Sequence, residues 1–191
     1  PEITRPDQVL VRVQSAALNR IDLFVLGGLP GARHDFPHVM GSDGAGIVEA
    51  VGDSVTRVRP GDRVLLNPGI SCGACDPCRA DEGPFCRRYR ILGEHLPGTI
   101  AEAVVVPEAN VSPVPEGMQW HEAAALPLAA LTAWRMVMSR AAVQPGETVL
   151  VWGIGGGVSL AALQIAKLAG ARVVVTSSAA HKLEAARGLG A

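Results

Sequence analysis

No apolar run in this chain reaches the roughly 18 to 20 residues that a membrane-crossing helix needs, and it does not open on a basic and then apolar leader. An excess of either charge is missing too. Seventeen Lys and Arg stand against 18 Asp and Glu, a formal net charge of −1, which excludes a protein that grips nucleic acid or an anionic membrane mainly by charge. Cysteine is absent outside the stretch from Cys72 to Cys86, so no disulfide framework is spread along the chain. No internal repeat or low-complexity tract occurs. With 48% hydrophobic and only 18% charged residues, disorder is excluded as well. The expectation is a soluble, cytoplasmic protein of one or two domains, without nucleic-acid or membrane partners.

The first part of the chain is punctuated by glycine and proline. Residues 9–13 (Val-Leu-Val-Arg-Val), 46–51, 63–66 and 101–106 read as short strands, the last stopped by Pro107. Residues 27–37 read as loop, and Arg59-Pro60-Gly61-Asp62 has the chemistry of a chain reversal. Such strands predict an all-β or barrel-like domain up to about residue 115. The character then changes. Residues 121–140 are rich in Ala and Leu and predict a helix interrupted at Pro127. From Thr148 the order is strand (148–152), Gly-rich turn (153–157), helix (158–169), strand (172–176) and helix (179–189), the βαβα opening of a parallel α/β sheet. The 158–169 helix is apolar on almost every face, as expected of a helix buried against such a sheet. Two parallel strands cannot complete a dinucleotide crevice. The sequence is therefore expected to be a piece of a longer polypeptide.

Trp152-Gly153-Ile154-Gly155-Gly156-Gly157-Val158-Ser159 lies between a predicted strand and a predicted helix. Glycines let the backbone approach a pyrophosphate, and the helix start offers unpaired N–H groups to it. Gly153, Gly155, Gly156, Gly157 and Val158 are thus candidate cofactor-binding residues. Ser159 takes the place where a third glycine often permits close helix packing. The alternative is a plain strand-to-helix connection. The end of the second strand bears on which dinucleotide binds, because NAD sites usually carry a carboxylate there for the ribose 2′-hydroxyl. Here Thr176-Ser177-Ser178-Ala179-Ala180-His181-Lys182 has none before Glu184. Ser177, Ser178 and Lys182 offer hydroxyls and a cation that suit a 2′-phosphate, so NADP(H) is the predicted cofactor. An ordinary solvated lysine is the alternative for Lys182.

Cys72, Cys75, Cys78 and Cys86 give the spacing C-x2-C-x2-C-x7-C. Four thiolates satisfy a tetrahedral zinc completely and leave no position for water or substrate, so the predicted site is structural, with one zinc per chain. The rival is an iron–sulfur cluster, whose bacterial run needs a shorter last gap and a following proline. Here Arg87 follows Cys86. Disulfides and free thiols also stay open for these four residues.

Together these features resemble the medium-chain dehydrogenase/reductase superfamily, which holds the zinc alcohol dehydrogenases and the quinone oxidoreductases. The resemblance covers essentially the whole chain. It is carried by the four-cysteine lobe, by Pro37-His38-Val39-Met40-Gly41-Ser42-Asp43-Gly44-Ala45-Gly46, by Pro60-Gly61-Asp62-Arg63-Val64, and by the stretch from Gly153 through Gln164-Ile165-Ala166-Lys167. The closing Lys182-Leu183-Glu184-Ala185-Ala186-Arg187-Gly188-Leu189-Gly190-Ala191 also looks like the superfamily's second Rossmann helix. The resemblance implies a mixed fold. A GroES-like β-barrel catalytic domain would occupy 1–115, with its zinc-binding lobe at 71–92. A connecting helical segment would follow at 116–140, then the N-terminal half of a Rossmann domain, βαβα, at 141–191. It further implies that the C-terminal half is missing, that the full-length protein is a homodimer or homotetramer, and that these residues alone reduce nothing efficiently.

Departures from the zinc alcohol dehydrogenases carry the functional reading. Where that branch has its catalytic Cys, this chain has Asn19, in Ala17-Leu18-Asn19-Arg20-Ile21-Asp22; where it has a His in a Gly-His-Glu string, this chain has Gly41-Ser42-Asp43; its third ligand falls at Leu128. Asn, Ser and Leu do not make an open three-ligand zinc site. The branch's proton relay would fall on Ile21 and Phe24, which pass no proton. What remains resembles the quinone oxidoreductases, matched by Asn19 and Asp22. The implied reaction is hydride transfer from NADPH to a quinone, enone or other carbonyl acceptor, with hydrogen-bond donors stabilising the oxyanion. Asn19 and Ser42 are the candidate donors, Asp43 the retained acid of the site, and Thr132 a residue near the nicotinamide. Arg20 would reach the pyrophosphate. The alternative for Asn19 and Ser42 is turn or capping chemistry, and for Asp22 a cap or ion pair. His34, His38 and His95 read as surface or packing residues, and His121 and His181 as helix-surface residues. Two further functions stay open: an alcohol dehydrogenase with recruited zinc ligands such as Asp43 and His38, and a dinucleotide-binding protein without turnover.

Overall fold

A computed structural model describes residues 1–28 and 36–191. The chain divides into two compact units, Pro1–Leu128 and Ala129–Ala191.

The first unit is built on β1 (Gln8–Ala17), β2 (Asp43–Val51), β3 (Arg63–Leu66), β6 (Ala103–Pro107) and β7 (Val111–Pro113), an antiparallel sheet in the order β6-β1-β2-β3-β7. Between them lie α1 (Arg20–Gly27), the small strands β4 (Gly69–Ile70) and β5 (Arg90–Ile91), which pair with each other, and α2 (Asp76–Arg79). Alternation of β-branched residues decides which face is buried. Val9 and Val11 of β1, Val48 of β2, Val64 and Leu66 of β3 and Val104 and Val106 of β6 all turn inward, with Leu92, into one core. The β1–β2 pairing slips at Leu10/Val11 and again at Val13/Ser15. A Cβ at Gly46, beside the second bulge, would collide with the Arg12 carbonyl. Only glycine lets β1 and β2 approach so closely there.

β1 runs four residues beyond the expected strand, and α1 occupies residues for which the sequence suggested no helix. The reason is local. α1 buries only Asp22 and Val25 and leaves Leu23, Phe24 and Leu26 exposed, so no apolar stripe of helical period exists to be read.

The Ala-rich stretch forms α3 (Trp120–Ala125), then α4 (Pro127–Trp134), then a π-helical turn over Arg135–Arg140. Pro127 starts a helix, where its missing N–H costs nothing. In the second unit β8 (Thr148–Val151) pairs parallel with β9 (Arg172–Val175), each followed by a helix, α5 (Gly157–Leu168) and α6 (Ala180–Gly188). The expected burial of α5 on nearly every face is not found. Ala162, Leu163 and Ala166 are buried, whereas Leu168 is 89% exposed. Leu150, Trp152 and Val174 of the strand region are exposed as well. Among the described residues no helix is long and apolar enough to cross a membrane.

Candidate functional site

Ala17, the last residue of β1, pairs with Asp43, the first of β2. Two residues past that pair the chain turns into α1, with Asn19 in extended conformation at its start. Strand pairing therefore brings Asn19 beside Asp43, although 24 residues separate them. The Asn19 side-chain amide donates to Asp43 Oδ2 over 2.8 Å. The other oxygen, Oδ1, accepts the backbone N–H of Leu128 in the first turn of α4, also at 2.8 Å. Asp22 works from the opposite side: its Oδ2 accepts the Asn19 backbone N–H at 2.6 Å and its Oδ1 that of Gly41 at 3.1 Å. Asp22 and Asp43 are 3% and 1% exposed.

The backbone around Asp43 is stitched to residues 92–100. Gly98 N–H donates to Val39 O, Ile100 N–H to Met40 O and Thr99 N–H to Gly41 O. The Thr99 hydroxyl donates to Asp43 O at 2.6 Å, and the Ser42 hydroxyl to Leu92 O at 2.8 Å. Gly41, at φ +95, turns the chain where a side chain would strike Thr99 and Ile100. Burial pushes the Asp43 carboxyl up to about 6; the bonds from Asn19 and Leu128 pull it back, and the Asp22 charge adds to the rise.

Asn19 and Asp43 are thus brought together. Ser42 is 0% exposed and its proton is committed to Leu92 O, which makes it part of the scaffold beneath the pair. Thr132 is exposed on α4, four residues after Leu128, in the second unit. Arg20 sits over the Phe24 ring, 5.7 Å from its centroid. His38 Nε2 lies 2.9 Å from Gly93 O, and His95 Nδ1 accepts the Ile91 N–H. His121 and His181 are exposed; His34 lies outside the described residues. The backbone N–H of Leu128 and the acceptor role of Asp22 toward Gly41 could not be read from the sequence, since main-chain groups carry no residue-type signal.

The four cysteines converge independently of this pair. β4 leads into Cys72, Cys75 precedes α2, Cys78 lies within it, and a 3-10 turn at Gly83–Phe85 delivers Cys86. All four sulfurs lie within 4.8 Å of one another. The Cys72–Cys78 and Cys75–Cys78 sulfur separations are 3.9 and 3.3 Å, close to the ~3.8 Å edge of a tetrahedron with Zn–S bonds of about 2.3 Å. Backbone N–H groups of Ala74 and Cys75 hold the Cys72 thiol down to about 5, favouring the thiolate there. Cys75, despite the Cys78 N–H that lowers it, is pushed up to about 11 by the hydrogen bond with the Cys78 sulfur and by burial. The donor set fits a closed four-sulfur metal centre. Among the described residues no other group of three or more His, Cys, Asp or Glu side chains has metal-binding proximity.

In the second unit Gly153 (φ +80) and Gly155 (φ +125) adopt conformations that favour glycine. Gly153 N–H donates to the Thr176 hydroxyl and Ile154 N–H to Thr176 O, tying the turn to the end of β9. Gly156 caps α5, Gly157 opens it and Val158 follows half-buried. Ser159 does not substitute for a packing glycine. Its hydroxyl accepts the Gly156 N–H and donates to Gly156 O, while Gly157 provides the close approach, to Ala129. The Lys182 side chain lies against Gly155, with Nζ 3.2 Å from where a Cβ would stand. Ser177 Oγ accepts the Ala179 N–H, and Ser178 is exposed. Glu184 points away into an ion pair with Arg187 at 3.0 Å.

A sequence profile of the alcohol dehydrogenase GroES-like domain matches residues 5–116. A zinc-type alcohol dehydrogenase-like protein of Schizosaccharomyces pombe is 39% identical, over 100% of this chain and 54% of its own. A crotonyl-CoA carboxylase/reductase of Cereibacter sphaeroides is 35% identical, over 96% of this chain and 44% of its own. A crystal structure of an NAD-dependent alcohol dehydrogenase superposes with a TM-score of 0.92 at 52% identity, over 97% of this chain and 54% of that one. The chain spans about half the length of the relatives it matches.

Proposed function

The chain belongs to the alcohol dehydrogenase GroES-like family, within the medium-chain dehydrogenase/reductase oxidoreductases, and from that premise we propose that the full-length protein reduces a quinone or enone with a nicotinamide cofactor and no catalytic metal. One observation carries this reading. At the positions that the resemblance assigns to catalytic-metal ligands, this chain has an amide, a buried hydroxyl and a leucine, and the adjacent Asp43 carboxylate has both oxygens occupied by hydrogen bonds.

The bound cofactor supplies hydride. Asn19 is the donor toward the acceptor oxygen, because one amide proton goes to Asp43 and the other has no partner among the described residues. An amide dipole aimed where negative charge develops lowers the barrier without a Lewis acid. The cysteines hold a structural zinc, which stabilises their lobe and takes no part in the hydride step. Lys182 against Gly155, with Ser177, Ser178 and no carboxylate at the end of β9, supports NADP(H). The relative named for crotonyl-CoA supports a conjugated acceptor. A second reading, NAD-linked alcohol oxidation, is favoured by the 52% identity to an NAD-dependent alcohol dehydrogenase.

A panel of quinones, enones and alcohols, tested on chelator-treated full-length protein with NADPH and NADH, separates the two. Reduction of the conjugated acceptors that survives chelation is expected. Alcohol oxidation that tracks a second bound metal would overturn the proposal.

A further inference from the structure

Two carboxylates bracket Asn19, and they hold different parts of it. Asp22 takes the backbone N–H and Asp43 the side-chain amide. Only the second of these fixes the rotation of the amide about its own side chain. Asp43 in turn has no freedom, because Thr99 grips its carbonyl and Leu128 N–H its other carboxylate oxygen. Its carboxylate is buried without a basic partner among the described residues. A site that keeps an unneutralised carboxylate in that position needs a reason, since burial of an unpaired charge is costly. Packing alone is better served by an apolar side chain of similar size.

Building on the reading that Asn19 is the hydrogen-bond donor to the acceptor, we propose that Asp43 is its positioning residue: one carboxylate oxygen sets the orientation of the Asn19 amide and the other anchors that setting to the first turn of α4. Asp43 acts through Asn19 and does not touch the substrate. A carboxylate suits this task, because an acceptor-only group forces the amide to present its nitrogen, and so leaves the second N–H directed elsewhere. It also places negative charge at the start of α4, where the helix dipole favours it. The same geometry tells against Asp43 as a proton donor to product, since both oxygens already accept protein N–H groups.

The test is a double-mutant cycle in the full-length enzyme, reading kcat, KM and cofactor affinity with NADPH and an enone. Asn19→Ala is expected to lower kcat by about 100-fold, the effect of losing one oxyanion donor. Asp43→Asn, which presents an NH2 group to one of its two donors, is expected to lower kcat by about 10-fold or more with cofactor affinity unchanged. Asp43→Glu, which keeps both acceptor oxygens, recovers part of that loss and guards against a variant that fails to fold. In the Asn19→Ala background, Asp43→Asn should change kcat by no more than about twofold, because residues acting as one unit are not additive. A further 10-fold loss in that background would show Asp43 acting independently of Asn19 and overturn the proposal. So would an Asp43→Asn enzyme with lowered stability and unchanged kcat. If Asn19→Ala itself keeps full rate, the donor reading fails as well, an outcome distinct from failure of the positioning role alone.

Discussion

Asp43 accepts a hydrogen bond from the Asn19 amide over 2.8 Å while remaining 1% exposed, so a charged group sits where water hardly reaches. This relationship has a pH signature. The carboxyl is raised from its ordinary 3.8 to about 6, chiefly by burial, and the fold therefore prefers the protonated form. Its stabilising contribution is full below about 3.8 and is lost as pH rises through about 6. Between pH 5 and pH 8 the wild type should lose stability on the order of 1 kcal/mol relative to Asp43→Asn. Urea unfolding across that range checks it. Parallel curves for the two proteins would refute it.

Ser42 should behave as scaffold. Its hydroxyl is buried and donates to Leu92 O, so Ser42→Ala removes a buried bond at a cost of about 1 to 3 kcal/mol. The KM for the acceptor is expected to stay within about twofold, since the hydroxyl faces protein and not the ligand. Denaturant unfolding and steady-state kinetics on the same preparation test both halves. A large loss of kcat with no loss of stability would return Ser42 to the reaction.

Metal content is expected to be one zinc per chain, bound by Cys72, Cys75, Cys78 and Cys86. Cys75→Ser should lower it to about 0.1 per chain or less and reduce the unfolding midpoint, because binding energy in such a lobe is folding energy. Elemental analysis and thermal melts give the readout. Two metals per chain, one of them surviving in Cys75→Ser, would contradict the single-site assignment.

Cofactor preference should follow the Lys182–Gly155 contact and the end of β9. Ser177→Asp is expected to raise the KM for NADPH about tenfold, ~1.4 kcal/mol, and to lower that for NADH. Lys182→Ala should weaken NADPH more than NADH. An unchanged NADPH-to-NADH ratio in both variants would remove the argument for a 2′-phosphate site.

Where a feature rests on spacing along one stretch of chain, the sequence made it legible. The C-x2-C-x2-C-x7-C run predicted four converging sulfurs, and they lie within 4.8 Å of one another. Glycines flanked by apolar strands and a helix predicted the β8–turn–α5–β9 unit, found within a residue or so at each boundary. α1 was invisible because it buries only two side chains. Ser159 was ambiguous because serine is small enough to pack and polar enough to cap, and residue type does not say which it does. The role of Ser42 was equally hidden, since its partner is a main-chain carbonyl 50 residues away.

By itself, then, the sequence determined the longer strands and the β8–turn–α5–β9 unit, where sulfur ligands cluster and which positions lack metal-binding side chains, for these depend on residue type and local periodicity. Tertiary structure alone decided that Asn19 and Asp43 form one hydrogen-bonded unit, that Leu128 completes it through its backbone, and that Ser42 turns inward. The reason is physical: strand register and main-chain donors set those partnerships, and neither is written in the identity of any single residue.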